Sequence, residues 1–151
     1  MYKKILVPID GSATSKLGLD EAIRLAKHHK ARVRLIHVVD VFIVTPTLEG
    51  GRYVDDLQKS FRADGSRLLK KAESLVRSHG LAVDSMMFEI VAGRAAEIIV
   101  AHAKKWRADI IVIGTHGRRG VSRLVMGSDA EEVIRTSPVP VLLVRTEPRK
   151  C

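Results

Sequence analysis

Ile110-Ile111-Val112-Ile113-Gly114-Thr115-His116-Gly117, with Gly127-Ser128 after nine further residues, is the stretch that decides how this chain folds. Its first four residues are apolar and β-branched, which suits a strand buried on both faces. The strand runs into a loop that carries Arg118, Arg119 and Arg123, contains no acid, and reaches a further glycine, Gly127, at the mouth of a helix. Strand, glycine-rich loop and helix N-terminus together present bare backbone N–H groups and a helix dipole to a phosphate. Glycine suits such a loop because a Cβ blocks close approach and penalises positive φ. The spacing is Gly-x2-Gly-x9-Gly-Ser. It is neither a Walker loop, since no Lys-Ser/Thr follows a glycine, nor Gly-x-Gly-x-x-Gly.

Working outward, strands and helices alternate. Lys3–Ile9 reads as a short buried strand, punctuated by Asp10-Gly11-Ser12, and a helix runs on to about Lys30 with Leu19, Ala22, Ile23 and Ala26 on one face. Arg32–Val39 is a second strand, and Val41–Arg52 a loop long enough to act as a flap. A long helix spans about Val54 to His79, with Val54, Leu57, Phe61, Leu68, Ala72, Leu75 and Val76 as its inward stripe. Val83–Val91 is strand three. Gly93 opens a helix that turns Ile98, Ile99, Ala103 and Trp106 inward. Ile110–Ile113 is strand four, Ser128 to about Thr136 helix four, and Val139–Val144 strand five. This alternation predicts one three-layer α/β domain over residues 1–151, with a mainly parallel sheet and right-handed crossovers. Pro138 and Pro140 put strand five at an edge, because proline cannot serve a ladder on both sides.

Composition narrows the function. At 151 residues the chain is long enough to bury a core, and 46% apolar with 28% charged residues is ordinary for a soluble domain. No apolar run approaches the roughly 18–20 residues that span a bilayer. The apolar run Ile5–Ile9 is too short for a signal-peptide core, so a cytoplasmic protein without membrane contact is expected. The one cysteine, Cys151, excludes an intrachain disulfide, and the histidines show no zinc spacing. The formal charge is +9, but the basic residues are scattered along the sequence and aromatics make up only 4%. A solvated basic surface is therefore expected, not a nucleic-acid partner.

In a doubly wound sheet, ligands sit beyond the carboxyl ends of the strands where chain order reverses. If strands one and four are neighbours, Asp10 and Gly114 flank that crevice. Each candidate has a plainer alternative. Asp10 either contacts the ligand or caps the turn into helix one. Ser128-x-x-Glu131 is a capping-box pattern, so Ser128 serves either a phosphate or the N3 amide. Gly114 is either phosphate-facing or simple strand-end punctuation. His37 reads as a strand-end histidine, and His116 has no carboxylate in view to make it a base.

The chain resembles the universal stress protein family along nearly all its length. Leu6-Val7-Pro8-Ile9-Asp10-Gly11-Ser12 is similar to the family's opening, and Leu35-Ile36-His37-Val38-Val39 to its second strand. Gly93 and its helix match the third βα turn. Gly114-x2-Gly117-x9-Gly127-Ser128 is similar to the ATP-binding signature, and Ser137-Pro138-Val139-Pro140-Val141 to the close. The resemblance implies a Rossmann-like, adenine nucleotide alpha hydrolase-like sheet of order 3-2-1-4-5. It implies ATP, or AMP or ADP, often with a divalent metal such as Mg²⁺. Asp10 and Val38, with Pro8 nearby, would hold the adenosine. Gly114, Gly117, Gly127 and Ser128 would receive ribose and phosphates. The loop's own charges add Arg118 and Asp129 to the candidate contacts.

The family's ATP-binding branch usually forms dimers, and the resemblance implies a homodimer paired through the final strand, Val139–Val144. Asp129 departs from relatives that carry a small apolar residue there, and its carboxylate opposes a polyphosphate unless a metal intervenes. No residue set meets the demands of a hydrolase, a base aimed at water plus a metal cradle. The expected role is a dimeric, nucleotide-dependent stress sensor or adaptor acting on a protein partner. The alternatives are a slow Mg²⁺-dependent ATPase and a nucleotide-free interaction module.

Overall fold

The computed structural model describes residues 1–41, 51–116 and 126–145, and the side chains of all these except positions 51 and 52. Its elements are β1 (Lys4–Pro8), α1 (Ala13–His29), β2 (Arg32–Asp40), α2 (Gly51–Ser78), β3 (Val83–Ile90), α3 (Ala95–Trp106), β4 (Ile110–Gly114), α4 (Ser128–Thr136) and β5 (Val141–Val144). All sheet pairings are parallel, in the order β3-β2-β1-β4-β5. The expected architecture and strand order are both found. The flap expected over Val41–Arg52 falls mostly outside the described residues.

β1 is central, and Ile5, Leu6 and Val7 are fully buried. Burying side chains of this size stabilises by about 1.5–3 kcal/mol each. Alternation sends Ile5 and Val7 to a core shared with α1 and α2, and Leu6 to one shared with α3 and α4. The start of β1 is tied by Asp109, whose Oδ2 accepts from the amides of Lys3 and Lys4 at 2.7 and 2.8 Å.

Two boundaries differ from expectation for physical reasons. α2 begins at Gly51, before the first apolar residue of its stripe, so periodicity could not mark its first turn. Its 28 residues span about 42 Å, well beyond the reach of an eight- or nine-residue strand of about 30 Å. Burial is accordingly confined to the second half, at Gly65, Leu69, Ala72 and Val76, while Leu57 and Leu75 are exposed. Strand five starts at Val141, so Pro140 precedes the strand. There its missing N–H costs no ladder bond and its carbonyl still accepts from Ile111 at 3.0 Å.

α3 buries one polar side chain that its pattern did not announce. His102 is 8% exposed, with its Nε2 3.3 Å from Arg34 Nη1 and its ring 5.3 Å from Phe88. Arg34 in turn makes a bidentate pair with Asp84, at 2.6 and 2.7 Å, and lies 4.5 Å from the Trp106 ring centroid. Burial pushes the His102 pKa down, the charges of Arg34 and Lys105 push the same way, and Asp84 opposes them. The folded state thus resists protonation, and the resulting stability is present above the unfolded value of about 6.5 and lost as pH falls toward the depressed one. The melting temperature is expected to fall between pH 7 and pH 5, and His102→Gln should flatten that decline. An equal slope in the variant would place the titration elsewhere.

Candidate functional site

β1 and β4 lie side by side, but their pairing runs only through Ile5↔Ile110 and Leu6↔Ile111. Even-numbered residues of β1 turn their backbone groups to β4, as the Asp109 N–H to Lys4 carbonyl bond shows. Pro8 falls in that set and has no N–H to donate, so the ladder stops short of it and the strands part at their carboxyl ends. This is the switch point, and every described candidate from the sequence lies at that end of the sheet.

Asp10 follows β1 at a tight turn. Its Oδ1 accepts from Ser12 N at 2.8 Å, an Asx turn, and Gly11 has φ +83°. Asp10 is not the cap of α1. That cap is Ser12, whose Oγ accepts from Ser15 N. Ile9, just before Asp10, is fixed twice: its N–H donates to Ile36 O at 2.8 Å, and its carbonyl accepts from His37 Nδ1 at 2.8 Å. His37 is therefore no strand-end histidine. It lies within β2, 4% exposed, where it locks the residue that leads into Asp10. Gly65 makes room for it, since a Cβ there would sit 2.6 Å from the imidazole Cδ2.

The turn after β1 is clasped to the loop after β4. Ser12 Oγ donates to the His116 carbonyl at 3.2 Å, and Thr14 Oγ1 donates to the same oxygen. These hydroxyls were not among the expected site residues, although Ser12-Ala13-Thr14-Ser15 held the signal. Gly114 proves to be a close-approach position: a Cβ there would lie 2.7–2.9 Å from backbone atoms of Thr14 and Ser15. Gly18 faces it, its own Cβ position 3.5 Å from Gly114 N. Two glycines thus bring the first turns of α1 down onto the end of β4.

The far side of the loop returns to the same place. Gly127 N donates to Thr115 O at 2.7 Å, and α4 begins at once. Gly127, not Ser128, is the N-cap of α4, so the capping-box reading of Ser128 and Glu131 is overturned. Gly127 also has φ −63° and ψ 145°, a conformation open to any residue. The expectation of positive φ does not hold at this glycine. What it contributes is the lack of a side chain at a helix N-terminus, where Ser or Asp would serve the first-turn amides itself.

Ser128 and Asp129 are exposed in the first turn of α4, and Val38 is half-buried on the α3–α4 side of β2. His116 Nδ1 lies 2.8 Å from Thr115 Oγ1. Its Nε2 is buried and, among the described residues, is the only buried side-chain polar atom without a hydrogen-bond partner. Gly117, Arg118, Arg119 and Arg123 lie outside the described residues. No cluster of three His, Cys, Asp or Glu side chains among the described residues could hold a metal ion.

This arrangement defines the class of doubly wound α/β proteins whose ligand position is a switch-point crevice. The sequence profile of the Universal stress protein family matches residues 1–145, and the chain belongs to that family. It is 38% identical to Universal stress protein MJ0531 of Methanocaldococcus jannaschii, over 99% of this chain and 85% of that one. Among solved structures it is similar to MJ0577 of the same organism, with a TM-score of 0.84 at 26% identity over 97% and 98% of the two chains. The fold is shared with an Arabidopsis thaliana family protein solved with AMP bound, at a TM-score of 0.69 and 17% identity over 96% and 92%.

Proposed function

We propose that this chain binds an adenine nucleotide, ATP or its ADP and AMP counterparts, and acts as a nucleotide-dependent stress sensor or adaptor. The observation that carries the reading is the meeting of two helix N-termini in one crevice. α1 is closed by its own Ser12 cap, whereas α4 opens on Gly127, which has no side chain to accept from the first-turn amides. Those amides and the dipole of α4 suit phosphate oxygens. The buried Nε2 of His116 fits the same ligand, since a phosphate or ribose oxygen supplies the partner it lacks. In this reading Asp10 and Val38, at neighbouring strand ends, take the nucleoside.

Mg²⁺ would enter with the phosphates, screening them from Asp129. Asp129 makes the expected affinities differ. At a separation of about 5–6 Å its charge would oppose a terminal phosphate, and screening by solvent would leave an effect of about fivefold. Calorimetric titration of ATP, ADP and AMP into stripped protein should show Asp129→Ala tightening ATP about fivefold and AMP much less. Equal shifts for ATP and AMP would place Asp129 away from the phosphates, and no heat with any nucleotide would defeat the reading. A slow Mg²⁺-dependent ATPase remains the second reading. Asp10→Ala is its control in a turnover assay.

We further propose a homodimer through β5. Among the described residues this strand pairs only with β4, and its four residues are all half-buried. In a parallel pair alternate residues face the neighbour. Pro140 O and Val144 O bond to β4, so the amides of Val141 and Leu143 point to the open edge. Leu143→Pro removes one outward donor and no inner ladder bond, and it should turn a dimer into a monomer by light scattering. A dimer that survives it uses another surface.

A further inference from the structure

Eight of the 26 basic residues, far apart in the sequence, gather at one end of the sheet. Parallel strands begin at one end of the sheet, and the helices that return the chain end there too. α1 delivers Lys27 and Lys30 to that pole, with His28 and His29 between them, and α3 delivers Lys104, Lys105 and Arg107. Lys3, Lys4 and Arg32 come from the strand starts. Hydrogen bonds join the three sets: Lys3 Nζ donates to His29 O at 3.2 Å, Lys4 Nζ to Trp106 O at 3.1 Å, and Arg32 N to Lys3 O at 2.9 Å.

All of these cations except Lys4 are exposed, and among the described residues none forms an ion pair within 4.0 Å. The carboxylate among them, Asp109, is engaged by the Lys3 and Lys4 amides, and Asp84 nearby is committed to Arg34. Among the described residues, eight cations against the one carboxylate of Asp109 thus gather at the end of the sheet opposite the crevice.

Helix dipoles account for part of this, since cations favour helix C-termini. They do not account for the strand-start cations, and they leave a second feature unexplained. The two non-glycine residues with positive φ among the described residues are Lys30, at +52°, and Arg107, at +58°, the C-caps of α1 and α3. Glycine is the usual occupant of such a position. The chain uses it at Gly80, just past the end of α2, with φ +74°. At α1 and α3 a long cation stands where stability alone favours glycine.

We propose that this pole docks the phosphodiester backbone of a nucleic acid, recognised by charge and not by base sequence. Its composition separates this from a protein partner. Protein–protein interfaces are depleted in lysine and centred on apolar anchors, whereas nucleic-acid interfaces are polar and strongly positive. Bases find few open ring faces here. Tyr2 sits edge-on to His29 at 5.3 Å, and Trp106 is occupied by Lys4 and Arg34. Contact through phosphates is what the pole offers. The proposal stands apart from the nucleotide crevice, at the other end of the strands.

Fluorescence anisotropy with labelled single-stranded DNA, the matching RNA and duplex DNA, each of about 20 units, tests it on the full chain. At least one should bind at 50 mM salt and weaken at least tenfold by 200 mM, as neutralising three or more phosphates requires. The tightest of the three identifies the source of the backbone. Lys27→Glu with Lys105→Glu should weaken binding at least tenfold. Lys30→Gly with Arg107→Gly should hold or raise the melting temperature while weakening binding at least threefold. That pair keeps the test independent of misfolding. The proposal is overturned by no binding to any of the three at 50 mM salt. It also fails if affinity is unchanged in both double variants, or if phosphatidylserine vesicles bind and no nucleic acid does.

Discussion

Gly114→Ala is expected to lower the melting temperature by about 6–12 °C and to weaken nucleotide binding at least tenfold. The added Cβ would lie 2.7 Å from the Thr14 carbonyl carbon, 2.8 Å from its oxygen and 2.9 Å from Ser15 N. These are backbone atoms, so no side chain can swing aside, and α1 must move off the sheet as a body. Overpacking of this kind costs about 1–3 kcal/mol, and a clash with backbone belongs at the upper end. At this chain length about 3 kcal/mol corresponds to the stated fall in melting temperature. The loss of binding follows from the same displacement. Ser12 and Thr14, at the head of α1, hold the His116 carbonyl, and moving them releases the loop that leads to α4. Thermal melts and calorimetry on the one variant check both halves. A variant that melts like the parent would mean that α1 and β4 do not approach as closely as the structure shows.

Gly127→Val is expected to abolish measurable ATP binding while leaving a folded protein with a loss of about 1 kcal/mol. The backbone at φ −63° and ψ 145° admits valine, and the stability cost is that of a poor N-cap. The branched side chain would stand where phosphate oxygens must reach the amides of Ser128 and the residues after it. Gly127→Ser is the sharper companion. Serine is a favoured N-cap and should stabilise α4, yet its hydroxyl would take the first-turn amides that the ligand needs. Affinity for ATP should fall about tenfold as stability rises. Stability and binding changing together in both variants would show that Gly127 supports the helix and nothing else.

The sheet was legible because its strands announce themselves. Ile110–Ile113 and Ile5–Ile9 are apolar runs too short for helices, and the alternation of elements left few topologies. The glycines of the signature marked the end of the sheet where the crevice opens. Their reasons for being glycine were not legible, because spacing does not report what a Cβ would meet. Gly114 yields to the backbone of Thr14, a residue 100 positions away, and Gly127 leaves a helix start bare.

His37 and Gly65 form a pair no local pattern contains, since strand and helix meet only in the folded chain. Ser128 looked like a cap because Glu131 follows at the right interval, yet the helix starts one residue earlier, at Gly127. Leu57 and Leu75 kept helical spacing, but Leu57 lies in the half of the helix that outruns its strands and Leu75 at the exposed margin of the buried stripe. The distribution of charge was the feature least visible in the sequence. Lysines dispersed from Lys3 to Lys105 converge only once parallel strands place their starts together.

The adenine nucleotide itself is tested most directly by mass analysis of what the protein releases. Protein purified without added nucleotide, then denatured, should release an adenine nucleotide from the parent chain and none from Gly127→Val. Calorimetry on the stripped parent should then show ATP binding restored. No adenine nucleotide in the denatured parent, together with no heat when ATP is titrated into it, would contradict the account.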